Sequence, residues 1–266
     1  MASASEVAAN TFMQAWAKRQ WIASRADYPD VPTSVDEMYS IYLAMQLHPL
    51  ARSSFGGMGG YKLGAIGAAG EPMIYAPLFR GFLVDAFLGS VAAFSSSSVQ
   101  LHTIEAELGL ILGADLPARA DGAAYTAEDV WATVEAVVPC IECCGRRSDA
   151  DVTAEMPVLG KLADCLMAGG VVLGRPVQAS CLDLSGLASC RTTLTVNRDQ
   201  VAQGSGAECP EGSPLAATAW LANHLNQRGL WLQKGQLVIT GATCKSTAFQ
   251  VSDRVRATFS TLGCVE

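Results

Sequence analysis

The sequence predicts an α+β protein, with a small N-terminal helical region followed by a larger part built on a largely antiparallel or mixed sheet. Three observations carry this. Apolar residues recur at helical spacing up to about Leu50. A glycine-rich segment, Gly56 to Gly60, comes next. Beyond it, short β-like runs follow one another with only occasional helices, which is not the strict alternation of a parallel α/β sheet.

In the first region Ala8, Phe12 and Trp16, and later Met38, Tyr42 and Met45, fall three and four residues apart, so two helices each present one apolar face. Ser34 with Glu37 forms a capping-box pattern that starts the second helix. Pro29 and Pro32 break the chain before it, and His48-Pro49 ends it. Gly56 to Gly60 reads as a hinge that divides a helical region, 1–58, from a second region, 59–266. Strands are expected at Tyr61–Ile66, Ser98–Leu112, Val137–Cys143, Gly170–Leu173, Cys190–Val196 and Leu237–Thr240. The serine run 95–98 reads as a loop. One helix opens at Thr126, with Asp129 three residues on, and runs to Val137. Another spans Pro214 to Gln227 and carries Ala217, Trp220, Leu221 and Leu225 on one face.

Composition narrows the function. Of 266 residues half are hydrophobic and 16% charged, with a net charge of -7. That balance offers no attraction to a phosphate backbone, so nucleic acid is not an expected partner. A large apolar fraction with few charges favours a homo-oligomer. No stretch reaches the ~18 apolar residues of a membrane helix. The first 21 residues include Glu6, Lys18 and Arg19 and lack the apolar core of a secretory signal. Nine cysteines, an odd count, point to free thiols in a reducing compartment, the cytoplasm first. Cys140, Cys143 and Cys144 have no second pair at matching spacing and read as small core residues, not as half of a zinc site. His48, His102 and His224 are isolated, and neither a nucleophile elbow nor a phosphate-binding loop occurs.

The chemistry concentrates in Thr103-Ile104-Glu105-Ala106-Glu107-Leu108. On a strand, residues two apart share a face, so Glu105 and Glu107 point the same way. Paired carboxylates repel unless a positive charge lies between them, and a hard divalent cation is the usual one. Glu142 is the single charge in the apolar run Val137 to Cys144, where a carboxylate must be paired or bound to metal. Three glutamates from two strands can hold one face of a cation and leave positions open for water and substrate.

Several short motifs in order resemble the fumarylacetoacetate hydrolase superfamily, in its 2-keto-4-pentenoate hydratase and 4-oxalocrotonate decarboxylase branch. Gly60-Tyr61-Lys62-Leu63-Gly64 is similar to its glycine-x-lysine-apolar-glycine motif. Ile104 to Glu107 resembles its E-x-E, and Pro139 to Glu142 the segment that supplies its third glutamate. Leu162-Ala163-Asp164 with Gly169 to Gly174, Gly204 to Ala207, Trp220 to Ala222, and Gly235 to Ala242 resemble its later segments. The resemblance implies a β-roll over 59–266 and a Mg2+ or Mn2+ ion on Glu105, Glu107 and Glu142. It implies Lys62 and Asp164 as catalytic residues, and Leu78, Phe79, Gly241 and Thr243 as substrate contacts. The activity it implies is a lyase, hydratase or decarboxylase, acting on a small 2-oxo acid through a metal-stabilised enolate. An acylpyruvate carbon–carbon hydrolase and a non-catalytic binding subunit are the alternatives. The loop Met73 to Phe79 is more apolar here than the branch pattern, and Gly145 and Cys165 stand where that pattern has Asp and Asn. A 2-oxo monocarboxylate is therefore expected rather than a long diacid.

Overall fold

Two helices open the chain, Ala4–Lys18 and Val35–Leu47, and each starts where a serine caps it. Ser3 and Glu6 form a complete capping box. At the second helix Ser34 Oγ accepts the Glu37 N–H, but the Glu37 carboxylate turns back to the N–H and hydroxyl of Thr33, so the box is shifted by one residue. The chain is described by a computed structural model over residues 2–66, 72–87, 91–93 and 100–266. The serine run 95–98 lies outside these residues.

The strands are β1 (Met58–Ala65), β2 (Met73–Phe79), β3 (Leu83–Asp85), β4 (Gln100–Leu112), β5 (Val134–Arg146), β6 (Ala168–Leu173), β7 (Val177–Gln178), β8 (Arg191–Val196), β9 (Asp199–Ser205), β10 (Leu237–Ala242), β11 (Thr247–Ala248), β12 (Val255–Phe259) and β13 (Gly263–Val265). Among the described residues they form two sheets. The larger runs β2-β1-β10-β4-β5-β6-β3, with β11 also on β4 and β7 on β5. The smaller runs β13-β12-β8-β9 and packs against β5. β1–β10 and β3–β6 are parallel and the remaining pairs antiparallel, so the sheet is mixed, as the run of strands predicts.

Three expectations are corrected by this arrangement. Gly56–Gly60 is no plain hinge, because β1 begins at Met58. Gly60 sits within the strand at φ +150, where a Cβ would lie 1.8 Å from the Leu237 carbonyl oxygen; glycine lets β1 approach β10. The run Met73 to Phe79 is a wholly buried strand rather than a loop. The Thr126 helix has its complete capping box but stops at Trp131, because the β-branched Val134, Val137 and Val138 already belong to β5.

The N-terminal helices cover one face of β1 and β2. Tyr75 stacks on Tyr39 at 4.4 Å between ring centroids, and Trp16 meets Phe55, Phe79 and Phe82 edge to face. Each such side chain contributes about 1.5–3 kcal/mol through burial. This docking turns Tyr75 and Phe79 toward the helices. By strand alternation Ile74, Ala76 and Leu78 go to the other face, which is also the face of Lys62, the register partner of Ala76.

Candidate metal centre

β4 and β5 are thirteen-residue antiparallel neighbours whose register sets Glu105 directly opposite Glu142 and Glu107 opposite Cys140. Opposed residues share a face, so the ladder gathers all three glutamates on one side of the sheet. Glu107 and Glu142 are fully buried and Glu105 is half-buried. A one-residue slip would send Glu142 to the opposite face, so the cluster depends on the pairing as much as on the residues.

Lys62 comes from β1, three strands from β5 in the sheet order, which in a flat sheet is a gap of about 14 Å. The curl of the sheet and the length of the side chain close it. The ammonium donates to Glu142 Oε1 and, at 3.0 Å, to the Leu166 carbonyl. Burial works against the charged amine, but Glu142 foremost, with Glu105 and Glu107 behind it, holds its pKa above the ordinary lysine value.

One buried ammonium does not neutralise this carboxylate cluster. Burial, then the charges of Glu142 and Glu105, push Glu107 well above the usual carboxylate range. Burial also raises Glu142, against the opposing pull of Lys62. Glu107 Oε2 accepts the Gly241 N–H at 2.8 Å. Glu107 Oε1 and Glu142 Oε2 are buried and have no hydrogen-bond partner among the described residues. Orphaned carboxylate oxygens in a dry site are costly, and a hard divalent cation, which binds through such oxygens, satisfies them. One oxygen of Glu105 and one of Glu142 lie within 4.8 Å of each other and of Cys144 Sγ. The residues present therefore fit a divalent metal.

The other expected site residues divide. Gly241, at φ +98, gives its N–H to Glu107, and a Cβ there would come 2.5 Å from Pro210 Cδ. Thr243 commits both its N–H and its hydroxyl to the Ala106 carbonyl, at 2.9 and 2.7 Å. Both residues are hydrogen-bonded to the E-x-E strand. Leu78 is buried on the Lys62 face, whereas Phe79 is spent in the aromatic cluster under the helices. Asp164 is engaged in a buried network. Its Oδ1 accepts from Trp16 Nε1 at 3.0 Å and from Arg147 Nη2 at 2.7 Å; its Oδ2 accepts the Arg147 backbone N–H at 2.8 Å. With both oxygens occupied, it acts as an anchor.

What it anchors matters to Lys62. Cys165, Leu166 and Met167 are three successive non-glycine residues at positive φ (46, 54 and 59), a conformation that persists only under outside restraint. Asp164 fixes one side of this turn, and Tyr42 OH accepts the Leu166 N–H at 3.1 Å. The turn thereby aims the Leu166 carbonyl at the Lys62 amine. Arg147, Trp16, Tyr42 and Leu166 escape sequence reading because they act through buried pairing and a backbone oxygen. Nothing local marks Arg147, with its guanidinium 4.4 Å from the Trp16 ring, as the buried member of the Arg146-Arg147 pair.

The histidines are engaged elsewhere or exposed. His48 accepts the Leu50 N–H and meets Asn10, His102 is exposed, and His224 stacks on Trp220. A cavity of about 140 Å³ opens on the opposite face of the ladder, lined by Leu101, Ile104, Ile141, Cys143, Val172 and Phe249 among others. None of the three glutamates lines it, as strand alternation requires.

Residues 83–266 match the family model for the C-terminal part of fumarylacetoacetate (FAA) hydrolase. A 2-keto-4-pentenoate hydratase of Paraburkholderia xenovorans (strain LB400) is 30% identical over 265 residues, covering 98% of this chain and 93% of the relative. The chain belongs to the fumarylacetoacetate hydrolase family. Solved members share its fold. The 4-oxalocrotonate decarboxylase from Pseudomonas putida G7, complexed with magnesium and adipate, superposes with a TM-score of 0.79 at 21% identity, over 98% of this chain and 95% of that one. The fumarylpyruvate hydrolase from Pseudomonas aeruginosa, in complex with Mn2+ and pyruvate, gives 0.60 at 16% identity, over 77% of this chain and 85% of that one. The α+β architecture read from the sequence is thus the fold of this family.

Proposed function

We propose that this chain is a divalent-metal-dependent lyase of the hydratase or decarboxylase type, acting on a small 2-oxo acid such as 2-hydroxypenta-2,4-dienoate. The observation that carries the proposal is the under-neutralised carboxylate cluster beside a buried lysine: among the described residues two buried carboxylate oxygens lack partners and Lys62 is held against them. The family and its hydratase relatives support the same reading. Glu105, Glu107 and Glu142 would hold a Mg2+ or Mn2+ ion, which as a Lewis acid supplies stabilisation for negative charge developing on the keto oxygen.

The chain's own groups do the rest. Among the described residues, Lys62 uses two of its three N–H donors on Glu142 and Leu166, which leaves one for a substrate oxygen. It is the proposed catalytic residue, holding or moving a proton at that oxygen. Asp164, Arg147, Trp16 and Tyr42 keep the Leu166 carbonyl in place and so position the amine. Ile74, Ala76 and Leu78 share the Lys62 face and are apolar, so if they line the far end of the substrate site that end would suit a monocarboxylate. A second carboxylate buried there would be unpaired, at a cost of several kcal/mol.

The helical region 1–58, on this reading, braces the catalytic region 59–266. The chain works in a reducing compartment as a homo-oligomer, whose contacts would cover exposed Val7, Leu43 and Leu47. No helix among the described residues is long and apolar enough to cross a membrane. Carbon–carbon hydrolysis is less favoured, because each histidine is engaged by other groups or exposed, and no His–Glu pair occurs among the described residues.

The deciding experiment is a turnover assay on a panel of 2-oxo acids, with chelator and then with added Mg2+ or Mn2+. Metal-dependent consumption of a short 2-oxo monoacid, with oxalate competing, is expected. Turnover that survives chelation, or tightest competition by a long 2-oxo diacid, would overturn the metal role or the monoacid preference respectively.

A further inference from the structure

We propose that Cys144 can add a sulfur ligand to the same cation, so that the centre which would hold Mg2+ or Mn2+ through its carboxylates also takes a borderline divalent ion such as Zn2+ or Co2+ with metal–sulfur bonding. The inference rests on the reading above that Glu105 and Glu142 hold an ion, and adds a donor of another chemical class.

Its basis is the ladder. Cys144 lies two residues after Glu142 on β5 and therefore on the same face; its cross-strand partner is Thr103, two residues before Glu105. Glu105, Glu142 and Cys144 thus occupy three corners of one square of the ladder. One carboxylate oxygen of each glutamate and the Cys144 sulfur all fall within 4.8 Å of one another. Donors about 2.0–2.3 Å from a common ion are separated by no more than about 4.6 Å, so a small adjustment brings all three into one coordination shell. Glu107 stands one rung away, with one oxygen already taken by the Gly241 N–H. Glu142 itself is fully buried, and its Oε2 has no hydrogen-bond partner among the described residues.

The neighbouring cysteines show the contrast. Cys140 donates its S–H to the Val138 carbonyl at 3.4 Å, and Cys143 lies on the opposite face, in the wall of the apolar cavity. Cys140 shares the glutamate face opposite Glu107, but among the described residues only the Cys144 sulfur falls within 4.8 Å of both a Glu105 and a Glu142 oxygen. All three cysteines are buried, as core residues would be, and the proposal adds a ligand role for Cys144 alone.

A sulfur in the donor set changes what the site selects. Mg2+ is a hard ion that takes oxygen and keeps its waters, whereas Zn2+ and Co2+ accept thiolate readily. On binding, the metal–sulfur bond replaces the S–H bond and the proton leaves to solvent. No oxidant or further reactant is involved.

The experiment is a Co2+ titration of the full-length chain, read by absorption, with Zn2+ and Mg2+ affinities measured by calorimetry. We expect one Co2+ per chain with a near-ultraviolet thiolate-to-cobalt charge-transfer band. Cys144→Ser should abolish that band while Co2+ still binds. It should weaken Zn2+ by about tenfold or more, at least the loss seen when even an outer partner of a metal ligand is removed. Mg2+ affinity should stay close to that of the unaltered chain. Co2+ binding without the band, or a band that persists in Cys144→Ser, overturns the assignment and leaves the carboxylate centre standing. An unaltered chain that binds no divalent ion overturns both. The spectrum of the unaltered chain decides even if the variant fails to fold.

Discussion

The Asp164–Arg147 pair and the Lys62–Glu142 pair are both buried, and both reach the same turn, Cys165 to Met167, yet they are built differently. Asp164 meets Arg147 side chain and backbone, with Trp16 as a further donor, so both its oxygens are satisfied. Around Lys62 several carboxylates share one ammonium, and two of their oxygens have no partner among the described residues. In a closed pair the lost hydration of both charges is offset by their mutual attraction and hydrogen bonds, and no carboxylate oxygen is left without a partner. An open, under-neutralised cluster costs stability and gains it back when a cation arrives. The two pairs thus separate structure from chemistry within a single core.

The largest effect expected from this contrast is on Glu142. Glu142→Ala removes an ion ligand and the partner of Lys62, and turnover should fall by about 10³-fold or more, equivalent to the several kcal/mol of a Lewis-acid ion. Calorimetry should show divalent binding lost in parallel; retained binding would place the ion elsewhere. Lys62→Ala should lower turnover by about 10²–10⁴-fold, the range for removal of a general acid–base group. It should not weaken metal binding, since the variant takes a positive charge away from the ion. Equal losses in turnover and metal affinity would make Lys62 a structural residue.

On the closed side, Asp164→Asn should destabilise the fold by about 3–5 kcal/mol, because Arg147 is left buried without its counter-charge. A denaturant midpoint unchanged from the unaltered chain would refute the anchor role. On the open side the sign should reverse. Glu107→Gln in chelator should stabilise the chain, by about 1–3 kcal/mol, because the neutral amide has no charge to desolvate or neutralise on folding.

The smallest and most diagnostic effect is on pH dependence. Folding raises the Glu107 and Glu142 pKa values above the ordinary 4.5. The protonated forms are therefore favoured in the fold. Their contribution is complete below about pH 4.5 and is lost as pH rises through the raised values. In chelator, the difference in stability between the unaltered chain and Glu107→Gln should widen with rising pH, and saturating divalent cation should reverse that trend because it binds the ionised carboxylates. A pH-independent difference in chelator would mean that Glu107 does not change protonation on folding.

Where the fold was legible in the sequence, it was legible through periodicity. Phe12, Trp16, Tyr42 and Met45 recur at helical spacing and pack as that spacing requires. Glu105 and Glu107 share a face because every strand alternates. Where reading failed, the deciding contact was distant. Met73 to Phe79 is apolar throughout and carries no period, so loop and buried strand look alike until β1 lies beside it. Asp164 carries a family motif, but its role depends on Trp16, 148 positions away.

The sequence by itself determined the residue types and their local faces: carboxylates two apart on one strand, a lone carboxylate on another, and a lysine between glycines. Only the tertiary structure decided that Glu105 faces Glu142, that Lys62 crosses the curl of the sheet to reach them, and that Cys144 joins them while Cys143 does not. The physical reason is that strand alternation is local and written in every pair of neighbours. Register and sheet curl, by contrast, are set by the sum of many weak contacts across the whole core, and no short stretch of sequence encodes them.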